Sequence, residues 1–122
     1  MADEVKVQIQ VVVQNGNFKD TFSPGQQKYD QTTGSGGNPG TVSIGTSEEN
    51  IAFGDVTPGW IVMQNLDATN FITYGADDAS TMKTLGKLQP GGVACFELAA
   101  GVTIRALADT ATCLVSIKGY AT

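Results

Sequence analysis

The sequence predicts an all-β fold, an antiparallel sandwich or barrel, and three observations predict it. Apolar and polar residues alternate at period two over Glu4 to Gln14, EVKVQIQVVVQ, the pattern of a half-buried strand. Short runs rich in β-branched and aromatic residues recur down the chain, with turn chemistry between them every eight to twelve residues or so. The 15 glycines among 122 residues suit a turn-dense β architecture better than a helical one. A chain of this length is one domain's worth, large enough to bury a core without disulfide staples.

In Glu4 to Gln14, Val5, Val7, Ile9, Val11 and Val13 fall on one face, while Lys6, Gln8, Gln10 and Gln14 fall on the other with Val12 as the exception. One face is expected to be buried and one wet. A terminal strand this long also presents backbone groups that a neighbouring copy could pair with. Asn15-Gly16 is the dipeptide of a type I′ turn, so Phe18 to Phe22 returns antiparallel to the first strand. Phe18 and Phe22 then share a face with Asp20 between them. Ser23-Pro24-Gly25 ends that strand, and Gln26 to Thr32, with Tyr29 its single aromatic, reads as an exposed edge strand.

Thr33 to Gly40, TGSGGNPG, has the composition of a flexible loop. A phosphate cradle is not indicated, because no GKS or GKT follows and no strand-turn-helix context surrounds it. Thr41 to Gly45 and Asn50 to Phe53 are short strands flanking the exposed Ser47-Glu48-Glu49, and Asp55 to Gly59 is a further turn.

Gly59 to Gly75, GWIVMQNLDATNFITYG, is the stretch around which the remainder is organised. Its two apolar runs, Trp60 to Leu66 and Asn70 to Tyr74, are separated by Asp67-Ala68-Thr69 and read as a hairpin. Trp60 is expected in the core, as large aromatics dominate burial. Gly75 to Ser80 is acidic and small. Leu88-Gln89-Pro90-Gly91-Gly92 is a turn by composition, and strands are expected over Val93 to Leu98, Val102 to Ala108 and Thr112 to Gly119. Ala94, Phe96 and Leu98 share one face, as do Val102, Ile104, Ala106 and Ala108, and then Cys113, Val115 and Ile117. Together these make an apolar layer, with Cys95, Arg105 and Lys118 turned outward or to the rim.

Composition narrows the chemistry. Net charge is −5 and only seven Lys and Arg are present, so nucleic-acid binding is not expected. There is no His, which excludes Ser-His-Asp and Cys-His nucleophilic sites, His metal clusters and His proton switches. Cys95 and Cys113 sit on neighbouring expected strands, so a bridge is conceivable, but without CxxC spacing they read as reduced thiols. Asp77-Asp78 and Glu48-Glu49 lack the spacing of a calcium loop, and adjacent side chains of extended structure point to opposite faces. A carboxylate pair for acid and base work could draw on Asp67, Asp77 or Glu97, but the few aromatics are needed for the core rather than for a sugar cleft. No enzyme activity, cofactor or metal is expected. Met1-Ala2-Asp3-Glu4 lacks the basic and apolar blocks of an export signal, and no apolar stretch approaches the ~20 residues that span a bilayer.

From about Thr41 onward the order of pieces resembles a family of small jelly-roll virion proteins of tailed bacteriophages. The pieces are Gly59 to Phe71, Leu88 to Gly92 and Arg105 to Thr110, with NLDATN and LQPG the most specific as an ordered set. The resemblance implies a two-sheet antiparallel β-sandwich, jelly-roll-like, of about eight strands. It also implies a role as a head decoration (cement) protein or another minor structural component, and brings no catalytic residues. The partners it implies are the major capsid protein and copies of the chain itself, with no nucleic acid and no membrane. The location would be the capsid surface of the virion, after synthesis in the host cytoplasm. A tail, neck or head-fibre component and a glycan-binding adsorption module are the alternatives. Met1 to Gly40 departs from the pieces that resemble the family. Residues 1–14 are a candidate inter-subunit strand, and Val5, Val7, Ile9, Val12, Phe18, Phe22 and Tyr29 are the candidate subunit or capsid contacts.

Overall fold

The computed structural model describes residues 4–31 and 34–122. These residues fold without helix, into twelve strands. They group into two compact units, one within Met1–Thr33 and one spanning Gly34–Ala121, where the sequence had been read as one domain. The first contains β1 (Val5–Gln8), β2 (Val11–Asn15), β3 (Phe18–Phe22) and β4 (Gln26–Tyr29). The second contains β5 (Gly36–Ile44), β6 (Glu49–Asn50), β7 (Trp60–Asn65), β8 (Ile72–Asp78), β9 (Thr81–Leu88), β10 (Val93–Glu97), β11 (Ile104–Ala108) and β12 (Cys113–Tyr120).

The second unit is the expected sandwich. Its two sheets have four strands each, in the orders β10-β7-β12-β5 and β6-β11-β8-β9. The order follows from one long nested hairpin: β5 pairs with β12, β6 with β11, β7 with β10, and β8 with β9 at the tip, all antiparallel. Rolling that hairpin up adds the β7·β12 and β8·β11 pairings. This is jelly-roll-like connectivity.

Alternation fills the space between the sheets. Ile61 and Met63 of β7, Ile104, Ala106 and Ala108 of β11, and Cys113, Val115 and Ile117 of β12 are all buried and form one cluster with Ile44, Ile72 and Leu88. Each large aliphatic side chain so placed contributes about 1.5–3 kcal/mol. Tyr74 and Phe96, one from each sheet, stack with ring centroids 6.2 Å apart. The inward faces expected for the last three strands hold, except at Val102, which precedes β11 and is exposed. Trp60 is buried.

The expected hairpin over Trp60 to Tyr74 is instead a corner. β7 and β8 belong to different sheets, and the polar segment between them turns the chain across the sandwich. Asn65 makes the corner. Its side-chain Nδ2 donates to the carbonyls of Asn70 (2.9 Å) and Leu88 (3.0 Å), and its Oδ1 accepts from the Asp67 N–H (2.9 Å). Its backbone bonds Gly92 O at 3.0 Å and Gly91 N at 2.9 Å. Asp67 then caps the turn, accepting from the N–H groups of Thr69 (3.0 Å) and Asn70 (2.6 Å), and Thr110 Oγ1 donates to Asn70 Oδ1 at 2.9 Å. The segments NLDATN, LQPGG and RALADT, distant in sequence, therefore meet at one end of the sandwich.

Three further differences have local causes. Gly36 to Gly40, read as loop, is the first half of β5 and pairs with β12 from Gly36↔Tyr120 to Gly40↔Ile117. Gly36 lies so close under the Tyr120 ring that a β-carbon would stand 2.5 Å from Cδ1, so the glycine serves close approach rather than flexibility. Thr33, also in that reading, lies outside the described residues, as do residues 1–3 and Thr32. Thr81–Leu88 is a strand with no counterpart in the sequence reading. It follows a two-residue turn in which Ala79 and Ser80 take φ of 53° and 68°. Finally, Glu48 is no idle surface residue: its carboxylate accepts from Met82 N–H at 2.8 Å and lies 3.6 Å from Arg105 Nε.

Asn65→Ala removes a wholly buried amide and strands the Asn70 and Leu88 carbonyls and the Asp67 N–H. The expected loss is about 2–4 kcal/mol, read by urea unfolding of the sandwich. A loss under about 1 kcal/mol would mean that water substitutes for the amide and the corner is held elsewhere.

Candidate assembly surface

Within the first unit, β1 and β2 lead out and β3 and β4 lead back. Among the described residues β1 pairs only with β4 and β2 only with β3, so the unit is a two-stranded ribbon interrupted at Ile9-Gln10 and at Ser23-Pro24-Gly25. The tip is a two-residue loop, Gly16-Asn17, closed by the Asn15↔Phe18 pair. Gly16 has φ of 58° while Asn17 keeps an ordinary negative φ. Glycine in first place with a negative φ after it is the II′ arrangement, one residue along from the expected Asn15-Gly16 turn of type I′.

Register decides what each face carries. Val11↔Phe22, Val13↔Asp20 and Asn15↔Phe18 lie on one face of the β2–β3 ribbon, and Val12↔Thr21 and Gln14↔Lys19 on the other. Every residue of both strands is exposed. Val12 and Phe18 each keep 61% of their surface, Phe22 59%, Val11 51% and Val13 41%. On β1, Val5 and Val7 are half-buried, opposite Tyr29 and Gln27, and Tyr29 is half-buried as well. Ile9 lies in the interruption, exposed.

The half-buried strand expected over Glu4 to Gln14 is thus two strands, and the buried face ends at Val7. A strand's apolar face is buried only if a second layer lies over it; β2 pairs edge to edge with β3 and has both faces wet. Of the seven candidate contacts, Phe18 and Phe22 share a face, Val12 takes the opposite one, and Val5, Val7 and Tyr29 cluster on β1 and β4. Val11 and Val13 belong with Phe18 and Phe22 and were missed, because period two alone does not say whether a second layer exists. The Val11-Val12-Val13 run, apolar on both faces, was the available signal.

Exposed apolar side chains are the material of interaction sites, and a two-stranded ribbon by itself is only marginally stable in water. Comparison with protein families, with curated proteins and with solved structures returned no match for this chain. The surface is therefore read from its own chemistry.

Several ionisable groups of the sandwich are engaged in local structure. The Asn70 and Thr69 backbone N–H groups hold the Asp67 carboxyl below its usual range. Arg105, on β11, pairs with Asp77 Oδ1 at 3.1 Å and donates to Asn50 Oδ1 at 2.7 Å, so Asp77 closes a network across β6, β8 and β11 instead of sitting in a solvated turn. Glu49 accepts from Gly45 N–H at 3.0 Å. Cys95 and Cys113 are free thiols, on β10 and β12 with β7 between them, and burial pushes both thiols up. Among the described residues no group of three or more Cys, Asp or Glu is placed to hold a metal ion. A groove of about 240 Å³ between β5 and β6, lined by Val42, Ile44 and Ile51, is smaller than most small-molecule sites.

Two outcomes follow. Phe18→Ser with Phe22→Ser should leave the unfolding midpoint of the sandwich within about 0.5 kcal/mol of the parent while lowering binding of a hydrophobic dye; a large drop in midpoint would show those rings to be structural. Asp67 has a lowered folded-state pKa, so its contribution is present above its ordinary value of 3.8 and fades as pH falls through the lowered one. Asp67→Asn should accordingly melt lower than the parent at neutral pH, with the gap closing as the pH drops below that value. A gap constant with pH would assign the effect to packing.

Proposed function

We propose that this chain is a non-enzymatic virion structural protein, a capsid decoration subunit that binds and stabilises the major capsid lattice of a tailed bacteriophage. The observation that carries the reading is the division of labour between the two units. The sandwich has a complete core of its own, whereas the ribbon exposes Val11, Val13, Phe18 and Phe22 on one face and Val12 on the other. A rigid body joined in one chain to an apolar ribbon is what a subunit that seats on a larger lattice requires. The meeting of NLDATN with LQPGG at Asn65 and with Thr110 of RALADT at Asn70 supports treating those pieces as one structural signature, as the resemblance to small phage jelly-roll proteins supposes.

On this reading Val11, Val12, Val13, Phe18 and Phe22 meet the capsid protein, and Val5, Val7 and Tyr29 set the base of the ribbon. The acidic balance keeps free copies apart before assembly. Partners are the major capsid protein and further copies of the chain.

The deciding measurement is the copy number of this chain in purified particles, counted against the major capsid protein by quantitative mass spectrometry. Decoration requires on the order of one copy per capsid subunit, or one per few. About six to a few tens of copies per particle, the yield of closed rings, would move the chain to a tail, neck or fibre. Absence from particles would end the virion reading.

A further inference from the structure

The sandwich has four strand edges, β10 and β5 in one sheet and β6 and β9 in the other. Proteins blunt such edges with short strands, lysines, prolines and bulges, because an open edge is a template for another strand. Three of these four carry such a device. β6 is two residues long. β9 carries Lys83 and Lys87, and its register slips opposite Tyr74 and Gly75, which leaves Leu85 without a partner on β8. β5 contains Pro39, which has no N–H, and its register slips at Gly37.

β10, Val93-Ala94-Cys95-Phe96-Glu97, has none of them: no lysine, no proline, and an unbroken register along β7. Among the described residues it pairs only with β7. The bonds from Leu98 N–H to Gly59 O and from Asn65 N–H to Gly92 O fix the phase of that ladder. Ala94 and Phe96 therefore bond to β7, while the N–H and C=O groups of Val93, Cys95 and Glu97 point to the open side. Exposed apolar surface lies at the same end of the sheet, where Val93 keeps 60% of its surface, Leu114 52% and Leu66 48%.

We infer that the open edge of β10 is a docking site for a second copy of this chain, two β10 strands pairing antiparallel about a dyad through Cys95. The residue order is self-complementary about that centre. Ala94 falls opposite Phe96 of the second copy, small against large, and Val93 falls opposite Glu97. Charge favours the same arrangement. In a chain of net charge −5 most self-contacts set like charges together, but here the strand's one carboxylate is placed against a valine and the two Glu97 side chains lie at opposite ends of the pair. About six backbone hydrogen bonds form across the dyad, and the β10-β7-β12-β5 sheet continues into its copy. The contact is isologous and closes as a dimer. It is independent of the virion reading, since it concerns the sandwich and not the ribbon.

An edge pair of this length lies at the low end of specific interfaces, so the dimer is reversible and concentration-dependent. Sedimentation equilibrium of the full chain, up to about 1 mM, should show it. Val93→Glu sets a carboxylate directly opposite Glu97 of the second copy at both ends of the pair, where like charges are destabilising, and Cys95→Pro removes an N–H that bonds nothing among the described residues. Each is expected to weaken association at least tenfold with the far-ultraviolet spectrum retained. Should Cys95→Pro fail to fold, Val93→Glu decides alone. Cys95 also reports the dyad directly, because directly opposed residues of an antiparallel pair have Cα atoms about 5.5 Å apart, within disulfide range. Mild oxidation at alkaline pH should link the parent chain through Cys95 to Cys95, as mapped by peptide mass spectrometry, and Cys95→Ser should abolish the link. A chain that stays monomeric throughout, a dimer indifferent to Val93→Glu, or a cross-link that omits Cys95 would each overturn the proposal.

Discussion

The Asn65 side chain is wholly buried, and an amide in that position must find partners for its donors and acceptor or cost the fold several kcal/mol. It finds them in Asn70, Leu88 and Asp67. Those residues belong respectively to the entry of β8, the end of β9 and the corner itself, so satisfying one amide fixes where three segments meet. The sandwich depends on this because rolling a nested hairpin requires the chain to leave one sheet and enter the other at a defined point. Hydrophobic burial drives the two sheets together without specifying that point. The directional bonds of Asn65 specify it.

The two units satisfy different physical requirements. In the sandwich the inward side chains have a second layer against them, the polar atoms of Asn65 at the corner are paired, and Arg105 Nη1 donates to Asn50 and Asp77. In the ribbon, backbone bonds are made within β1·β4 and β2·β3, but the side chains of β2 and β3 gain nothing from folding alone.

Much of the sandwich was legible. The alternations over Ala94 to Leu98, Ile104 to Ala108 and Cys113 to Ile117 give inward faces directly, because period two is a local property. Sheet membership is not local. Trp60 to Tyr74 has the composition of a hairpin, and only the partners of Asn65, up to 23 residues away, turn it into a corner. The β8–β9 hairpin was illegible for a different reason. Its turn residues, Ala79 and Ser80, take positive φ without the glycine or asparagine that normally announces it. Glycine misled in the other direction at Gly36, where it permits the approach of Tyr120 and not flexibility. For the ribbon, the sequence reading put a buried face on β2, since alternation says which residues share a face and not what lies above it.

An apolar ribbon and an open strand edge make different demands on a partner. Contact through Val11, Val12, Phe18 and Phe22 is non-directional, so it tolerates shifts of an ångström or two and loses energy gradually with misfit. Pairing through the β10 edge is directional and fails at a slip of one residue, which would carry every side chain to the wrong face. A subunit placed at non-identical positions on a curved lattice needs the first kind of contact towards the lattice and can use the second only towards an identical copy, whose register is guaranteed by symmetry. On the proposed reading, the ribbon is the tolerant surface and the β10 edge of the sandwich the strict one, the arrangement such an assembly requires.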